Sequence, residues 1–357
     1  MNSRERVLTT FDHHEPDRVP INYMANPGID GRLKEHFGLK QNDYEGLQQA
    51  LGVDFRWVHS PYTGPKLHAD IPERNINVDN WGIRRRWVEH PTGGYWDYCD
   101  FPLKEADLET VVNWPMPSPD DFNYTTVYDQ CKAKRDFCLV IGGAGIGDII
   151  NSTGMVRGME QTLVDLILDE PAGITYIDRR LDVLFAMIER TLEAAKGEID
   201  ILWMGEDLGT QIAPMISLDL YREQIRPRHQ RFVDLAKAHG ARVMMHSCGS
   251  SSWAYEDFIA MGIDGVETLQ PEAANMDPAY LKKTFGSRLT LHGCISTAGP
   301  VATGSVAETI SSCRETLATM MPGGGYCFAP THELQDNSPT ANVVAMYEVG
   351  RNDGSYR

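Results

Sequence analysis

Short apolar runs alternate with long amphipathic segments over most of this chain, and that alternation most limits how it can fold. A run of about four to eight residues that is apolar and bounded by glycine or polar residues is typical of a buried β-strand. Strands are therefore predicted at eight places, which are residues 18–24, 55–59, 138–143, 201–205, 242–246, 265–270, 289–293 and 325–329.

The segments between these runs have the apolar spacing of helices. In residues 171–197, apolar side chains recur at steps of three and four, which places them on one helix face. Further helices are predicted over residues 217–239, 277–285, 305–321 and 337–350. Pro227 predicts a kink in the first of these helices, and Gly240 predicts its end. Ser305 and Glu308 predict a capping box at the start of the third.

Eight strands that alternate with helices favour an α/β fold, the (β/α)8 or TIM barrel. A doubly wound sheet is the alternative, but the dinucleotide-binding fingerprint that often accompanies such a sheet is missing. Its nearest match, Gly143-Ala-Gly-Ile-Gly147, has the third glycine one position early.

Residues 60–137 do not follow the repeat. They contain scattered prolines, mixed charges and four tryptophans, which are Trp81, Trp87, Trp96 and Trp114. We expect an insertion of short strands and helices that lies over one end of the barrel. No Ser/Gly-rich linker or low-complexity tract interrupts the sequence, so residues 1–357 are interpreted as a single domain.

The charge balance and the cysteines limit the function and the compartment. Lys and Arg number 33 against 50 Asp and Glu, and the net charge of −17 argues against nucleic acid or an anionic membrane as the main partner. The seven cysteines are irregularly spaced and form no Cys-x-x-Cys pair, as in a reduced, cytoplasmic protein. The apolar runs are shorter than the ~18 residues that a membrane span needs. The first residues are charged and do not contain the apolar core of a signal peptide.

His246 and Cys248 combine two soft metal ligands at the end of a predicted strand. Side chains at positions i and i+2 of a strand share a face, so the imidazole and the thiol are expected to point the same way. Barrel enzymes carry their sites at the carboxyl ends of the strands, where this chain also has Glu206, Asp207 and His332. We predict a Zn²⁺ site made by His246, Cys248 and His332, with Glu206 as a candidate fourth ligand.

Other interpretations of these residues remain open. His246 and Cys248 are also compatible with a buried histidine beside an inert core thiol, and His332 with a general acid or substrate ligand. Glu206 and Asp207 are compatible with a proton-transfer carboxylate and its salt-bridged neighbour. The aromatic residues of the insertion either line a pocket for an aromatic donor or form a small core of their own. These aromatic residues are Tyr62, Trp81, Tyr95 and Trp96.

Several short motifs, by their order and spacing, resemble the uroporphyrinogen decarboxylase superfamily over nearly the whole chain. They lie at residues 4–8, 15–20, 205–211, 246–249, 323–332 and 338–343. The superfamily fold is a (β/α)8 barrel, in agreement with the strand count. Its true decarboxylases hold substrate carboxylates with an Arg-Gln-Ala-Gly-Arg segment after the first strand. This chain has only Arg32 and Lys34 as basic residues there.

The resemblance is closer to the zinc-dependent methyltransferases of the superfamily, which work with corrinoid proteins. Their His-x-Cys pattern matches His246 and Cys248, and their third ligand, often a cysteine, falls at His332. The implied function is transfer of a methyl group between a small molecule, such as a methyl ether or a thiol, and a corrinoid (cobalamin) on a partner protein. Zn²⁺ would improve an oxygen leaving group or hold an acceptor thiol as thiolate.

The resemblance also implies roles for further residues. Glu206 or Asp207 would orient a ligand or move a proton, Gln211 would hydrogen-bond the substrate or the corrinoid, and Gln270 would bind the substrate. The alternative function is a decarboxylase-like lyase that acts on a carboxylated substrate without metal. The oligomeric state stays open, with a homodimer as one arrangement.

Overall fold

A parallel sheet of seven strands forms the centre of the protein. The computed structural model describes residues 1–91 and 93–356. Its strands are β1 (Phe55–Trp57), β2 (Ile76–Val78), β3 (Arg84–His90), β4 (Gly93–Tyr98), β5 (Cys138–Gly142), β6 (Ile201–Gly205), β7 (Arg242–Ser247), β8 (Gly265–Thr268), β9 (Thr290–Ile295) and β10 (Tyr326–Pro330). The parallel sheet runs in the order β1, β5, β6, β7, β8, β9, β10, and β2 to β4 form a separate antiparallel sheet.

Residues 18–25 close the parallel sheet into a barrel. Ile21 makes a parallel bridge with Phe328 of β10, and its carbonyl accepts a hydrogen bond of 2.9 Å from the Asp54 N–H, next to β1. The segment therefore lies between the last strand and the first, where the sequence predicts the remaining strand. It forms isolated bridges because Pro20 has no N–H to donate to a ladder. The predicted (β/α)8 barrel is confirmed. In place of one of its eight strands it has residues 18–25, which form isolated bridges instead of a full ladder.

Helices surround the barrel, as the apolar spacing predicts. They are α1 (Ser3–Phe11), α2 (Pro27–His36), α3 (Tyr44–Leu51), α4 (Leu108–Val112), α5 (Val127–Ala133), α6 (Ile150–Arg157), α7 (Met159–Leu168), α8 (Pro171–Ala195), α9 (Leu218–Leu220), α10 (Arg226–Ala238), α11 (Tyr255–Met261), α12 (Pro278–Phe285), α13 (Pro300–Thr303), α14 (Val306–Met320) and α15 (Thr340–Asn352). The capping box of Ser305 and Glu308 is present at the start of α14. None of the described helices is long and apolar enough to span a membrane.

The helix predicted over residues 217–239 is interrupted by a wide turn. A π-helical turn, Tyr221–Ile225, joins α9 to α10. Pro227 follows directly after it. Because proline has no N–H and its ring clashes with the carbonyl four residues earlier, the chain widens at this point. The predicted kink therefore takes the form of a π-helical turn.

The inner face of the barrel is apolar over most of its depth. Its buried side chains are Val7, Phe11, Phe55, Cys138, Val140, Ile201, Trp203, Met244 and Cys327. Those from the strands occupy alternate positions, because successive side chains of a strand point to opposite faces. Val7 and Phe11 belong to α1, and Phe11 lies beside Gly265, the first residue of β8. Helix α1 therefore fills the amino-terminal end of the barrel, and the opposite end is left for polar residues.

The predicted insertion at residues 60–137 lies between β1 and β5. We call its antiparallel sheet, β2 to β4 with their connections, the lid. Asp79, Trp81, Ile83 and Arg85 of the lid line a cavity together with His246 at the end of β7. The insertion therefore covers one end of the barrel, as predicted, and the structure shows that this is the carboxyl-terminal end.

Asp54 ties the closing segment to the rest of the barrel. Its carboxylate is fully buried and accepts hydrogen bonds from Ser3 Oγ at 2.7 Å, Arg6 Nη1 at 2.7 Å, Arg18 Nη1 at 2.8 Å and the Ile21 N–H at 2.8 Å. These donors belong to α1 and to the segment that closes the barrel. One carboxylate thus bridges two guanidiniums and holds three parts of the chain together.

Asp54→Asn is expected to lower the free energy of unfolding by about 3 kcal/mol, because it removes the buried negative charge that faces both Arg6 and Arg18 and leaves Arg6 only its partly exposed partner Asp17. Urea unfolding of the purified protein measures this change. Asp353→Asn removes the exposed ion pair with Arg314 and serves as a control, with an expected change below about 0.5 kcal/mol. Equal stabilities for the two variants would contradict the role given to Asp54.

Candidate metal centre and its cavities

His246 lies at the carboxyl end of β7 and points into the barrel. The strand register pairs it with Gly205 of β6 and Glu267 of β8, and it pairs Glu267 with His292 of β9. Residues in register on parallel strands turn their side chains to the same face, so His246, Glu267 and His292 form a polar level within the barrel. Gly205 is required here because a Cβ would lie 2.3 Å from the carbonyl oxygen of Ala144.

Cys248 stands in a tight turn just after the strand. Its backbone N–H donates to Asp207 Oδ1 at 2.8 Å. Gly249 follows with a φ of +70°, and a Cβ there would lie 2.3 Å from the carbonyl oxygen of Gly209, so only glycine fits. The turn brings Cys248 Sγ to 3.4 Å from His246 Nε2. The thiol and the imidazole therefore meet, as their spacing predicts.

Asp207 completes a group of three candidate metal ligands, which we call the trio. Its Oδ1 lies 3.4 Å from His246 Nε2, and the ligand atoms of Asp207, His246 and Cys248 all lie within 4.8 Å of one another. Atoms bound at about 2.1 Å to a tetrahedral zinc ion are roughly 3.4 Å apart. Imidazole nitrogen, thiolate sulfur and carboxylate oxygen are also the donors that zinc uses. The residues present therefore fit a zinc ion.

The protonation states of the trio depend on one another. Burial opposes a charge on His246, but Glu267 and Asp207 outweigh it and hold the pKa of His246 well above its usual value. Burial also opposes ionisation of Asp207, but His246 and the Cys248 amide hold the pKa of that carboxyl below its usual range. Burial raises the pKa of the Cys248 thiol against the opposing effect of His246. Binding of a metal would therefore release protons from His246 and Cys248.

Glu267 orients the His246 ring from inside the barrel. This carboxylate is fully buried, and its Oε2 accepts a hydrogen bond from His246 Nδ1, which leaves Nε2 facing Asp207 and Cys248. The Thr268 hydroxyl lies 3.2 Å from the same Nδ1. Thr268 has a φ of +97°, which is rare for a β-branched residue and is typical of strained functional sites.

Glu206 turns away from the trio, toward the start of α6. Its carboxylate is 1% exposed and accepts hydrogen bonds from the N–H groups of Ile149 at 2.9 Å and Ile150 at 3.0 Å. Burial raises the pKa of Glu206 to about 8, and burial also raises the pKa of Asp148 to about 7. Glu206 thus caps α6 and does not belong to the trio. Its assignment as a fourth ligand stays a prediction.

His332, the predicted third ligand, lies two residues after the end of β10, and its ring faces that of His246. Its ring centroid lies 6.2 Å from that of His246. Among the described residues, the group whose ligand atoms lie within 4.8 Å of one another contains Asp207 and not His332. The structure therefore puts Asp207 beside His246 and Cys248, and ligation by His332 stays a prediction.

Two cavities meet at His246 and His332. The lid cavity, of about 370 Å³, lies between the lid and the mouth of the barrel, and charged residues line much of it. The barrel cavity, of about 340 Å³, has an aromatic wall in which the rings of Trp57 and Trp203 lie 5.5 Å apart. A small molecule bound in either cavity would lie next to His246.

The four aromatic residues that the sequence singles out in the insertion do not line a common pocket. Trp81 lines the lid cavity. Tyr95 and Trp96 are 47% and 43% exposed on the lid, and Tyr62 packs against Phe122 with 5.4 Å between ring centroids. The prediction of an aromatic pocket therefore applies to Trp81 alone among these four residues.

Gln211 and Gln270 are not among the residues that line the two cavities. Gln270 Oε1 accepts a hydrogen bond of 2.6 Å from the Gly249 N–H and so supports the turn that carries Cys248. The Gln211 side chain is exposed, and its backbone carbonyl accepts from the Ala274 N–H. Substrate binding by either glutamine stays a prediction.

Sequence reasoning missed Glu267, Asp148 and Arg180. Glu267 has a signal in the sequence, because a carboxylate inside an apolar strand of a parallel sheet is buried and needs a partner. Asp148 and Arg180 belong to a loop and to a long helix with many other charges. Only the folded chain brings both to the wall of the lid cavity.

Comparisons with known proteins agree with this architecture. Curated proteins gave no match. Among solved structures, a methyltransferase from Methanosarcina mazei matches this chain with a TM-score of 0.64 and 16% sequence identity, over 99% of each chain. That similarity shows a shared fold. The family model for uroporphyrinogen decarboxylase (URO-D) matches residues 105–352. Because this match spans more than half of the chain, the protein belongs to the uroporphyrinogen decarboxylase family.

Proposed function

We propose that the protein is a zinc-dependent methyltransferase that moves a methyl group between a small molecule and a corrinoid on a partner protein. The observation that carries this proposal is the trio of His246, Cys248 and Asp207 at the carboxyl end of the barrel. The similarity in fold to a solved methyltransferase supports it. The His-x-Cys spacing, which resembles that of the zinc-dependent branch of the family, supports it as well.

Each residue of the site has a separate proposed role. A bound zinc ion would act as a Lewis acid toward an ether oxygen or would stabilise an acceptor thiolate. His246, Cys248 and Asp207 would hold this ion, and three protein ligands leave one position for substrate, as in catalytic zinc sites. Glu267 keeps the proton of His246 on Nδ1, so that Nε2 is free to bind. His332, across the cavity, would exchange a proton with the substrate heteroatom.

The barrel cavity would keep water away from the methyl group. Trp57 and Trp203 form its aromatic wall, and Trp203 is 2% exposed. A reactive methyl carrier needs a dry site, because water competes with the acceptor. The two tryptophans next to His246 contribute to that condition.

Arg32 and Lys34 of α2 are the basic residues that stand where the true decarboxylases carry their arginine segment. Their contacts favour methyl transfer over decarboxylation. Arg32 donates to the backbone carbonyls of Asp336 at 2.8 Å and Ser338 at 3.0 Å. Lys34 pairs with Asp30 and lies over the Tyr44 ring, at 3.4 Å from its centroid. Both cations are therefore already engaged within the protein. A polycarboxylate substrate needs several free cations at fixed positions.

Zinc content tests the ligand set. Cys248→Ala and Asp207→Ala are each expected to reduce bound zinc from about one ion per chain to a small fraction, because each removes one of three ligands. His332→Ala is expected to retain zinc. Elemental analysis after reconstitution and dialysis measures the content, and Cys99→Ala, at a partly buried cysteine directly after β4, is the control. Full zinc in Cys248→Ala would exclude the trio, and loss in His332→Ala would restore His332 as a ligand.

Glu267→Gln is expected to weaken zinc binding about 10–100-fold, because the partner that orients a histidine ligand contributes that much to affinity. Competition with a chromogenic chelator measures the dissociation constant. Glu256→Gln, which breaks an exposed ion pair with Arg288, should leave the affinity unchanged. The same affinity in both variants would show that Glu267 does not position His246.

Methyl transfer itself can be followed with free cobalamin in place of the corrinoid protein. Zinc-loaded protein is expected to speed the demethylation of methylcobalamin by an alkanethiol, or the methylation of cob(I)alamin by methoxybenzene. Cobalt absorbance reports both reactions. Cys248→Ala and the chelated protein should be slower by at least about 100-fold, since a Lewis acid contributes several kcal/mol. Equal rates with and without zinc would contradict the proposed function.

A further inference from the structure

The two oxygens of the Asp207 carboxylate have different partners. Oδ1 accepts a hydrogen bond of 2.8 Å from the Cys248 N–H and lies 3.4 Å from His246 Nε2. Oδ2 accepts a hydrogen bond of 2.7 Å from Asn151 Nδ2. Oδ1 is therefore the oxygen that lies beside the other two members of the trio, and Asn151 occupies Oδ2.

Asn151 belongs to the first turn of α6, and that end of the helix is fixed. The carboxylate of Glu206 accepts hydrogen bonds from the N–H groups of Ile149 and Ile150, the two residues before Asn151. The Asn151 side chain is short and partly buried, so it has few rotamers to lose. Its amide is therefore in place before a metal ion or a substrate arrives, which lowers the entropy lost on binding.

The hydrogen bond from Asn151 limits how the carboxylate can bind a metal ion. A hydrogen bond to a charged carboxylate is roughly twice as strong as one between neutral groups. Without it, rotation about the side-chain bonds of Asp207 would let Oδ2 reach the metal as well as Oδ1. A catalytic zinc site keeps one position for water or substrate, and Oδ2 would then occupy that position.

Asn151 also lines the lid cavity, together with Asp207 and His246. The residues that would hold the metal and the residue that holds Asp207 therefore border the same cavity. An amide is suited to this place, because it donates to the carboxylate without adding a charge.

We propose that Asn151 is a positioning residue that keeps Asp207 bound to the metal through one oxygen, so that one coordination position stays open for the substrate. The inference rests on the proposed function and adds the residue that keeps the site open. Asn151 acts through Asp207 and does not itself hold the metal. Its loss is therefore expected to impair substrate binding more than metal binding.

Cobalt(II)-substituted protein separates metal binding from substrate binding. Elemental analysis gives the cobalt content, and titration with ethanethiol, followed by the added sulfur-to-cobalt absorbance, gives a dissociation constant without any turnover. Asn151→Ala is expected to retain about one cobalt ion per chain in excess metal, because His246, Cys248 and Asp207 are all still present. It is expected to bind ethanethiol at least about 10-fold more weakly, because the thiol must displace Oδ2 of Asp207.

Two further variants separate this role from a general loosening of α6. Asn151→Gln keeps an amide donor on a side chain that is one carbon longer, and the lid cavity beside it gives it room. It should restore most of the affinity for ethanethiol. Ser152→Ala removes the hydrogen bond that the hydroxyl of the next residue donates to Asp148. It leaves Asn151 in place and should behave like the unchanged protein in both measurements. Circular dichroism confirms that each variant is folded.

The outcomes separate the inference from the proposed function. If Asn151→Ala binds both cobalt and ethanethiol like the unchanged protein, the inference is wrong and the metal site stands. If Asn151→Ala binds no cobalt in excess metal, Asn151 is needed for the metal itself and the inference is also wrong. If Ser152→Ala loses affinity for ethanethiol to the same extent, or Asn151→Gln restores none, the effect belongs to α6 as a whole and the inference is overturned. If the unchanged protein binds no cobalt, or ethanethiol does not perturb its spectrum, the proposed function fails and the inference fails with it.

Discussion

The pairing of Glu267 with His246 is the contact on which the arrangement of the site depends. A carboxylate with no exposed surface is costly inside a barrel lined by Trp203 and Met244 unless a charged partner lies next to it. The parallel register of β7 and β8 supplies that partner. Because the pairing occupies Nδ1, the other imidazole nitrogen faces the mouth of the barrel. Slipping either strand by one residue would turn one of the two side chains outward and separate them.

The sequence predicted the features that rest on short-range patterns. Apolar runs and helical spacing led to the barrel, to the insertion over its mouth and to the capping box of α14. The spacing of His246 and Cys248 led to two side chains that meet, because the strand and the glycine after the turn are both local features. Strand ends also identified the rim of the barrel as the place where polar residues gather.

The features that the sequence did not settle depend on contacts between distant segments. Glu206 and Asp207 are neighbours at one strand end, and only the fold shows that Asp207 turns to His246 while Glu206 turns to α6. His332 reaches the same rim and its ring lies 6.2 Å from that of His246, but only the fold shows that Asp207, and not His332, completes the group of closely spaced ligand atoms. Residues 18–24 look like a strand locally, yet Pro20 reduces their pairing to bridges.

The closing segment has a consequence for the order in which the barrel is completed during synthesis. Residues 18–25 leave the ribosome early, but their partner β10 is among the last strands to be made. Until then residues 18–25 lack their neighbour on the β10 side, and the nascent sheet exposes unpaired N–H and carbonyl groups there. Both ends of the chain must therefore be present before the barrel can close. If synthesis stalls before β10 is made, the sheet stays open with an unpaired edge. Such a nascent chain is prone to aggregate and is the kind that chaperones bind.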